Sequence, residues 1–222
     1  MLIDTAQFVT RRLGQGERLP SDKTALVIID MMRQFCDPRW LAGGDTDKES
    51  YLAGRIAAVV PSIRLALDAF RAAEALVAHV VNARWTHDAR DVVPYQRGRD
   101  YGLFDEPRMA VIDALAPLPG EVIVRKVASS AFTGTGLDFI LRNARIENVV
   151  LSGTWGSACV FYSLIQSREL GFANVWLEDG ILYPSETSRH LFPALVGSSW
   201  AKLASAAEVV DAIGAVAPAT ER

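Results

Sequence analysis

The amino-acid sequence predicts an α/β fold: a three-layer α-β-α sandwich around a mostly parallel six-stranded sheet. The first observation is the run Ala25-Leu26-Val27-Ile28-Ile29, branched and apolar without interruption up to Asp30, the pattern of a strand buried on both faces. The second is its recurrence at 76–81, 121–125, 148–151 and 174–177, with a weaker run at 200–203. The third is that segments of helical periodicity separate these runs, at 55–73, 106–115, 135–145, 157–170, 185–195 and 206–213. Strand and helix in alternation imply right-handed crossovers, a parallel sheet and helices on both faces.

In chain order, the first strand is expected to end at Asp30 and to lead into a long loop over 36–50, then the helix 55–73 and the strand 76–81. A second long loop, 84–105, precedes a helix at 106–115; loops of this length in a compact domain are often walls or lids of a site. Lys126 follows the strand 121–125, and Gly134-x-Gly136 opens the helix 135–145. The strand 148–151 runs into the turn Gly153-Thr154-Trp155-Gly156-Ser157-Ala158-Cys159, where Ser157 is a natural N-cap for the helix 157–170. The strand 174–177, the helix 185–195, the strand 200–203 and the helix 206–213 complete the domain, and the tail 216–222 is expected to fray.

The 222 residues fall within what one α/β domain covers, so a single domain over 1–222 is expected, with its core between about 20 and 215. Half the residues are hydrophobic and 22% charged, which excludes disorder, collagen-like repeats and coiled coil. A net charge of −3 offers no basic field for nucleic acid or an acidic membrane surface. The two cysteines, Cys36 and Cys159, make neither a disulfide framework nor a paired zinc motif. With no secretory pattern at the N-terminus and no apolar stretch near the roughly 20 residues of a bilayer span, a reducing, cytoplasmic setting is expected.

Three polar residues stand at strand ends that would share one sheet edge: Asp30, Lys126 and, just past the strand ending near 151, Cys159. Ligands gather at that edge in open sheets. A thiol in a first helical turn faces unpaired N–H groups and the positive end of the helix dipole, so a lowered pKa and a thiolate are expected at Cys159. The same N–H groups suit an oxyanion on an attacked carbonyl, Lys126 adds positive charge, and Asp30 can carry the proton that thiol and leaving group exchange.

With Phe35 after the first strand, Ser130-Ala131-Phe132 and Gly134-Thr135-Gly136-Leu137 after Lys126, and Gly153 six positions before Cys159-Val160, the chain resembles the isochorismatase-like cysteine hydrolases over about 20–215. The resemblance implies a Rossmann-like sheet and an Asp-Lys-Cys triad that hydrolyses small amides and ureido compounds through a covalent acyl-enzyme. Carried onto this chain, Cys159 is the nucleophile, Asp30 the base and later acid, and Lys126 the electrostatic partner. It also implies a non-proline cis peptide between Thr154 and Trp155, an oxyanion hole from the amides of Trp155 and Cys159, and a homodimer or homotetramer.

Departures from the family narrow the expectation. Nicotinamidases of the family hold a metal with an Asp and histidines after the first strand, whereas 36–50 carries Asp37, Asp45 and Asp47 and no histidine; no metal is expected. No G-x-G-x-x-G follows the first strand, so no dinucleotide cofactor is expected either. The family's Gln two residues after the aspartate is Met32 here. The loop beginning Arg84-Trp85-Thr86-His87 resembles the branch acting on N-carbamoylsarcosine, ureidoacrylate and biuret, and among Arg84, Arg90, Arg97 and Arg99 there could be a clamp for a substrate carboxylate; a solvated loop or subunit contact is the plainer alternative. Phe35, Trp40, Arg84, His87, Arg90, Phe132, Thr154 and Trp155 are the candidate substrate-binding residues, with His87 equally readable as a wall or surface residue. His79, His190 and Cys36 read as structural. Two alternatives to a cysteine amidohydrolase stay open: vinyl ether hydrolysis of the isochorismatase type, which relies on the acid, and a non-catalytic member that binds a metabolite.

Overall fold

A computed structural model describes residues 9–41 and 46–213, so Asp45 and the tail 216–222 lie outside the described residues. Six strands form one sheet: β1 Thr24–Ile29, β2 Leu76–Asn82, β3 Val122–Lys126, β4 Asn148–Thr154, β5 Ala173–Leu182 and β6 Lys202–Ala204. Their spatial order is β3-β2-β1-β4-β5-β6, and every pairing is parallel. The chain builds outward from β1 through β2 to β3, then returns to lay β4 on the other side of β1. That reversal opens a crevice beyond the carboxyl ends of β1 and β4, where an open α/β sheet takes its ligand.

Side chains of a strand alternate between faces, and β1 divides its residues accordingly. Val27 and Ile29 join a core with Leu137, Leu141, Val160, Leu164 and Val196. These come from α4 (Leu137–Asn143), α5 (Cys159–Glu169) and α6 (Glu186–Ser199). Leu26 and Ile28 join the opposite core with Ile63, Leu67, Phe70, Val209 and Ile213, supplied by α3 (Thr46–Ala72) and α7 (Ala206–Ile213). With both faces covered, β1 can be apolar throughout, as its sequence is. No helix among the described residues is long and apolar enough to cross a membrane.

Several elements differ from the sequence reading. The expected loop over 36–50 starts at the last residue of α1 (Arg33–Cys36) and holds α2 (Pro38–Leu41) and the start of α3. The expected helix 106–115 is two single 3-10 turns, Pro107–Met109 and Asp113–Leu115. Between them the backbone is extended: Val111 bridges Met32 in antiparallel fashion, and the Ile112 N–H donates to the Met31 carbonyl at 3.0 Å. Pairing with the segment that leaves β1 satisfies these backbone groups and overrides the helical spacing. Ser185 caps α6 by accepting from the Ser188 N–H, but Ser157 does not cap α5, whose N-cap is Ala158 without a side-chain bond.

His79 is fully buried in β2, as read. Its Nε2 lies 3.1 Å from Glu121 Oε2, and Arg71 grips the same carboxylate at 2.7 and 2.9 Å. Burial would raise Glu121, but hydrogen bonds from Arg71, the Leu118 N–H and His79 outweigh it and pull its pKa down to about 2. A lowered carboxylate stabilises the fold above its unfolded value near 4.5 and loses that contribution as pH falls toward 2. Glu121→Gln is therefore expected to cost about 2–3 kcal/mol at neutral pH in urea denaturation, with the gap from the parent closing between about pH 5 and about pH 2.

Candidate active site

Three strand ends and one helix start meet at the crevice. Asp30 leaves β1 in the left-handed region, φ 54°, with its N–H donating to the Val80 carbonyl of β2 at 2.8 Å. Lys126 is the last residue of β3, and Cys159 the first of α5. Lys126 Nζ stands 2.9 Å from Asp30 Oδ2, 3.5 Å from Cys159 Sγ and 3.0 Å from the Ala128 carbonyl. All three residues are buried. The Asp30 carboxylate faces the Lys126 ammonium, the Cys159 thiol and the Asn82 N–H, each of which favours its ionised form.

Asn82, which the sequence reading passed over, completes the cradle. Oriented to satisfy both of its ends, its amide accepts from Lys126 Nζ at 3.1 Å and donates to the Lys126 carbonyl at 3.2 Å. It ends β2 beside Lys126 in register, and its signal was the one that marked Asp30, a polar residue closing an apolar run. Ser163 was also missed. Its hydroxyl donates to the Cys159 carbonyl at 2.6 Å and accepts from the Ala131 N–H at 2.8 Å, tying the cysteine's helix to the segment after β3. Lying four positions along a helix, it carried no sequence signal apart from helical spacing.

The turn before Cys159 depends on Gly153. At φ 110°, a Cβ there would stand 2.0 Å from the Ile29 carbonyl oxygen, because β4 passes β1 at this point in direct register. Gly153→Ala is expected to cost on the order of 3 kcal/mol or more in chemical denaturation, or to prevent folding, since both contact and backbone oppose it. The Thr154–Trp155 peptide is cis. Beyond it the N–H groups of Gly156, Ala158 and Val160 are spent on the carbonyls of Leu182, Trp155 and Trp155, whereas those of Trp155 and Cys159 have no backbone acceptor among the described residues.

The protonation state departs from the sequence reading. Burial, followed by the neighbouring Asp30 charge, pushes the Cys159 thiol up to about 12 against the pull of Lys126. The helix start does not yield a resting thiolate: the desolvation of a buried sulfur and a carboxylate beside it outweigh a dipole worth about 1 kcal/mol. Burial likewise raises Asp30 more than Lys126 lowers it. Burial alone would lower Lys126, but Asp30 and the sulfur hold its proton and raise it. The resting site pairs a neutral thiol with a carboxylate of raised proton affinity, a better base than an exposed aspartate.

A cavity of about 510 Å³ opens at Cys159, its wall including Phe35, Trp155, Tyr95, Tyr162 and Arg99. Of the candidate substrate-binding residues, Phe35 and Trp155 line it, meeting edge to face at 6.1 Å. Thr154 is buried in β4 behind the wall. The others lie away from the cavity. Trp40 is an exposed residue of α2, and Phe132 stacks on Phe172 in the core. Arg84 donates to the His87 carbonyl, the His87 side chain is exposed, and Arg90 pairs with Asp88 at the surface. Local ion pairs and carbonyls within the loop claim these cations before a ligand can.

A family model described as the isochorismatase domain matches residues 24–208. A ureidoacrylate amidohydrolase RutB of Agrobacterium fabrum is 28% identical over 182 residues, 72% of this chain and 76% of that protein. An N-carbamoylsarcosine amidase of an Arthrobacter species is 24% identical over 197 residues, 84% of this chain and 65% of that protein. Among solved structures, a cysteine hydrolase of Pseudomonas syringae pv. phaseolicola superposes with a TM-score of 0.73 at 22% identity, covering 95% of this chain and all of that one. The N-carbamoylsarcosine amidase of Thermoplasma acidophilum gives 0.67 at 24%, covering 83% and 96%. Because the domain match spans most of its length, the chain belongs to the isochorismatase family of hydrolases.

Proposed function

We propose that this protein is a metal-independent cysteine amidohydrolase that cleaves the C–N bond of a small amide or of an N-carbamoyl or ureido compound. The observation that carries the reading is the Lys126 ammonium set between Asp30 Oδ2 at 2.9 Å and Cys159 Sγ at 3.5 Å on the cavity wall. Relatives named as ureidoacrylate and N-carbamoylsarcosine amidohydrolases support the bond type.

In this reading Asp30 takes the thiol proton as the sulfur attacks the carbonyl carbon, so charge moves from sulfur to substrate without an exposed thiolate. The oxyanion meets the N–H groups of Trp155 and Cys159, where each preorganised donor is worth about 3 kcal/mol of barrier. Asp30 then passes its proton to the leaving nitrogen, the C–N bond breaks and a thioester remains. A water molecule gives its proton to Asp30 and its oxygen to the thioester carbon, and the departing sulfur recovers the proton. Lys126 keeps Asp30 ionised before attack and balances the charge on sulfur during it. A carbamate product would lose carbon dioxide.

The test is ammonia release from a panel of small amides and ureido acids, with mass spectrometry of the quenched reaction. An acyl adduct is expected on Cys159 and none on Cys36, which lies outside the cavity that Cys159 lines and faces the Met31 sulfur at 3.9 Å. Turnover that persists after complete alkylation of Cys159 would overturn the reading.

A further inference from the structure

Four arginines occupy the loop that walls the cavity, and the structure separates one from the others. Arg84 and Arg97 donate to the carbonyls of His87 and Val92, and Arg90 pairs with Asp88. Arg99 lines the cavity with Cys159, and no carboxylate or carbonyl contacts its guanidinium among the described residues. The carboxylates nearby are already matched: Asp100, on the same wall, accepts from Arg108 at 2.6 and 2.9 Å, and Asp30 has Lys126. Among the described residues the cavity wall therefore carries, on the exposed Arg99, a positive charge with no acidic partner, and the planar fork of that side chain suits a carboxylate.

Aromatic side chains share the rest of the wall with Gln34, Gln96, Ser129 and Ser157. Phe35 and Trp155 form one edge-to-face pair. Tyr95 and Tyr162 also line the cavity, 65% and 56% exposed. The Tyr95 hydroxyl is held to Ser129 at 2.8 Å, which fixes its ring with the face open. A volume of about 510 Å³ is within the range of cavities that enclose drug-sized ligands, and an amide with a short acidic tail fills only part of it.

We propose that Arg99 and these aromatic side chains select acyl substrates carrying both a carboxylate and a flat apolar group, of the N-carbamoyl aromatic amino acid type. The carboxylate pairs with Arg99 while the ring lies against Tyr95, Tyr162 and the Phe35–Trp155 pair, which leaves the ureido carbon at Cys159. This inference rests on the amidohydrolase reading and specifies its substrate. Arg99 is a specificity residue: it acts on binding and takes no part in moving protons.

Three matched ureas test it by steady-state ammonia release: N-carbamoylphenylalanine in both configurations, N-carbamoylglycine without the ring, and 2-phenylethylurea without the carboxylate. One configuration of N-carbamoylphenylalanine is expected to exceed each of the other two compounds by about tenfold or more in kcat/KM. Arg99→Ala is expected to lower kcat/KM for the carboxylates by about 30-fold or more, chiefly through KM, and to affect 2-phenylethylurea far less; Arg99→Lys should restore part of the loss. Equal use of charged and neutral ureas, or an Arg99→Ala loss that falls alike on all three, overturns the inference and leaves the amidohydrolase reading standing. No turnover of any urea or amide by the parent, with no adduct on Cys159, overturns both.

Discussion

Cys159→Ala should abolish turnover, by at least about 10⁴-fold, while leaving a folded protein. The side chain is small, and losing its Sγ removes a contact with Lys126 at 3.5 Å and one with Asp30 at the edge of the core, so thermal melting should fall only a little below that of the parent. Cys159→Ser should recover almost nothing. With the sulfur already pushed up to about 12 by burial and Asp30, a hydroxyl of still higher proton affinity in the same place is a poorer nucleophile for the same base. The measurement also decides between chemistries. Hydrolysis that relies on the acid alone would survive Cys159→Ala and vanish in Asp30→Asn, and that pattern would move the protein to the vinyl ether branch of its family.

Lys126→Met should cost about 3–5 kcal/mol of stability at neutral pH, because it leaves Asp30 buried with no cation in contact among the described residues. Asp30→Asn should cost less. The ammonium it strands keeps the Ala128 carbonyl at 3.0 Å and the Asn82 amide oxygen at 3.1 Å, and an asparagine oxygen can still accept from it. The double variant Asp30→Asn/Lys126→Met should be more stable than Lys126→Met alone, since the second change removes the charge that the first left unpaired. It should remain inactive. Urea denaturation of the two single variants and the double variant measures the coupling, and strictly additive costs would mean that the two groups do not form the buried pair seen at 2.9 Å.

Reading order along the chain explains which features were legible. A strand buried on both faces is apolar nearly throughout, so a polar residue that closes such a run stands out; Asp30 does so and Asn82 could have been found in the same way, whereas Lys126, after Arg125 on the edge strand β3, was placed by the strand end alone. The glycines at 153 and 156 marked the turn into Cys159, since the chain there passes close to Ile29 and to the Tyr183 ring. Where the reading failed, the deciding contact came from elsewhere in the chain. The spacing of 106–115 fits a helix, but Met31 and Met32 recruit Ile112 and Val111 into extended pairing. The arginines of 84–99 are alike as a sequence and differ only in which acceptor each finds.

Periodicity and chain punctuation are local properties, and they were enough to determine the alternation of strands and helices, the parallel sheet and the three polar groups at its edge. Tertiary structure alone decided which way burial moves the proton affinities of the site and which arginine finds an acceptor. Whether sulfur holds its proton depends on desolvation and on a carboxylate 129 residues away in the chain, and whether an arginine is free depends on every acceptor within its reach. Energies of that kind are set by what surrounds a group in space, and a sequence specifies those surroundings only once it is folded.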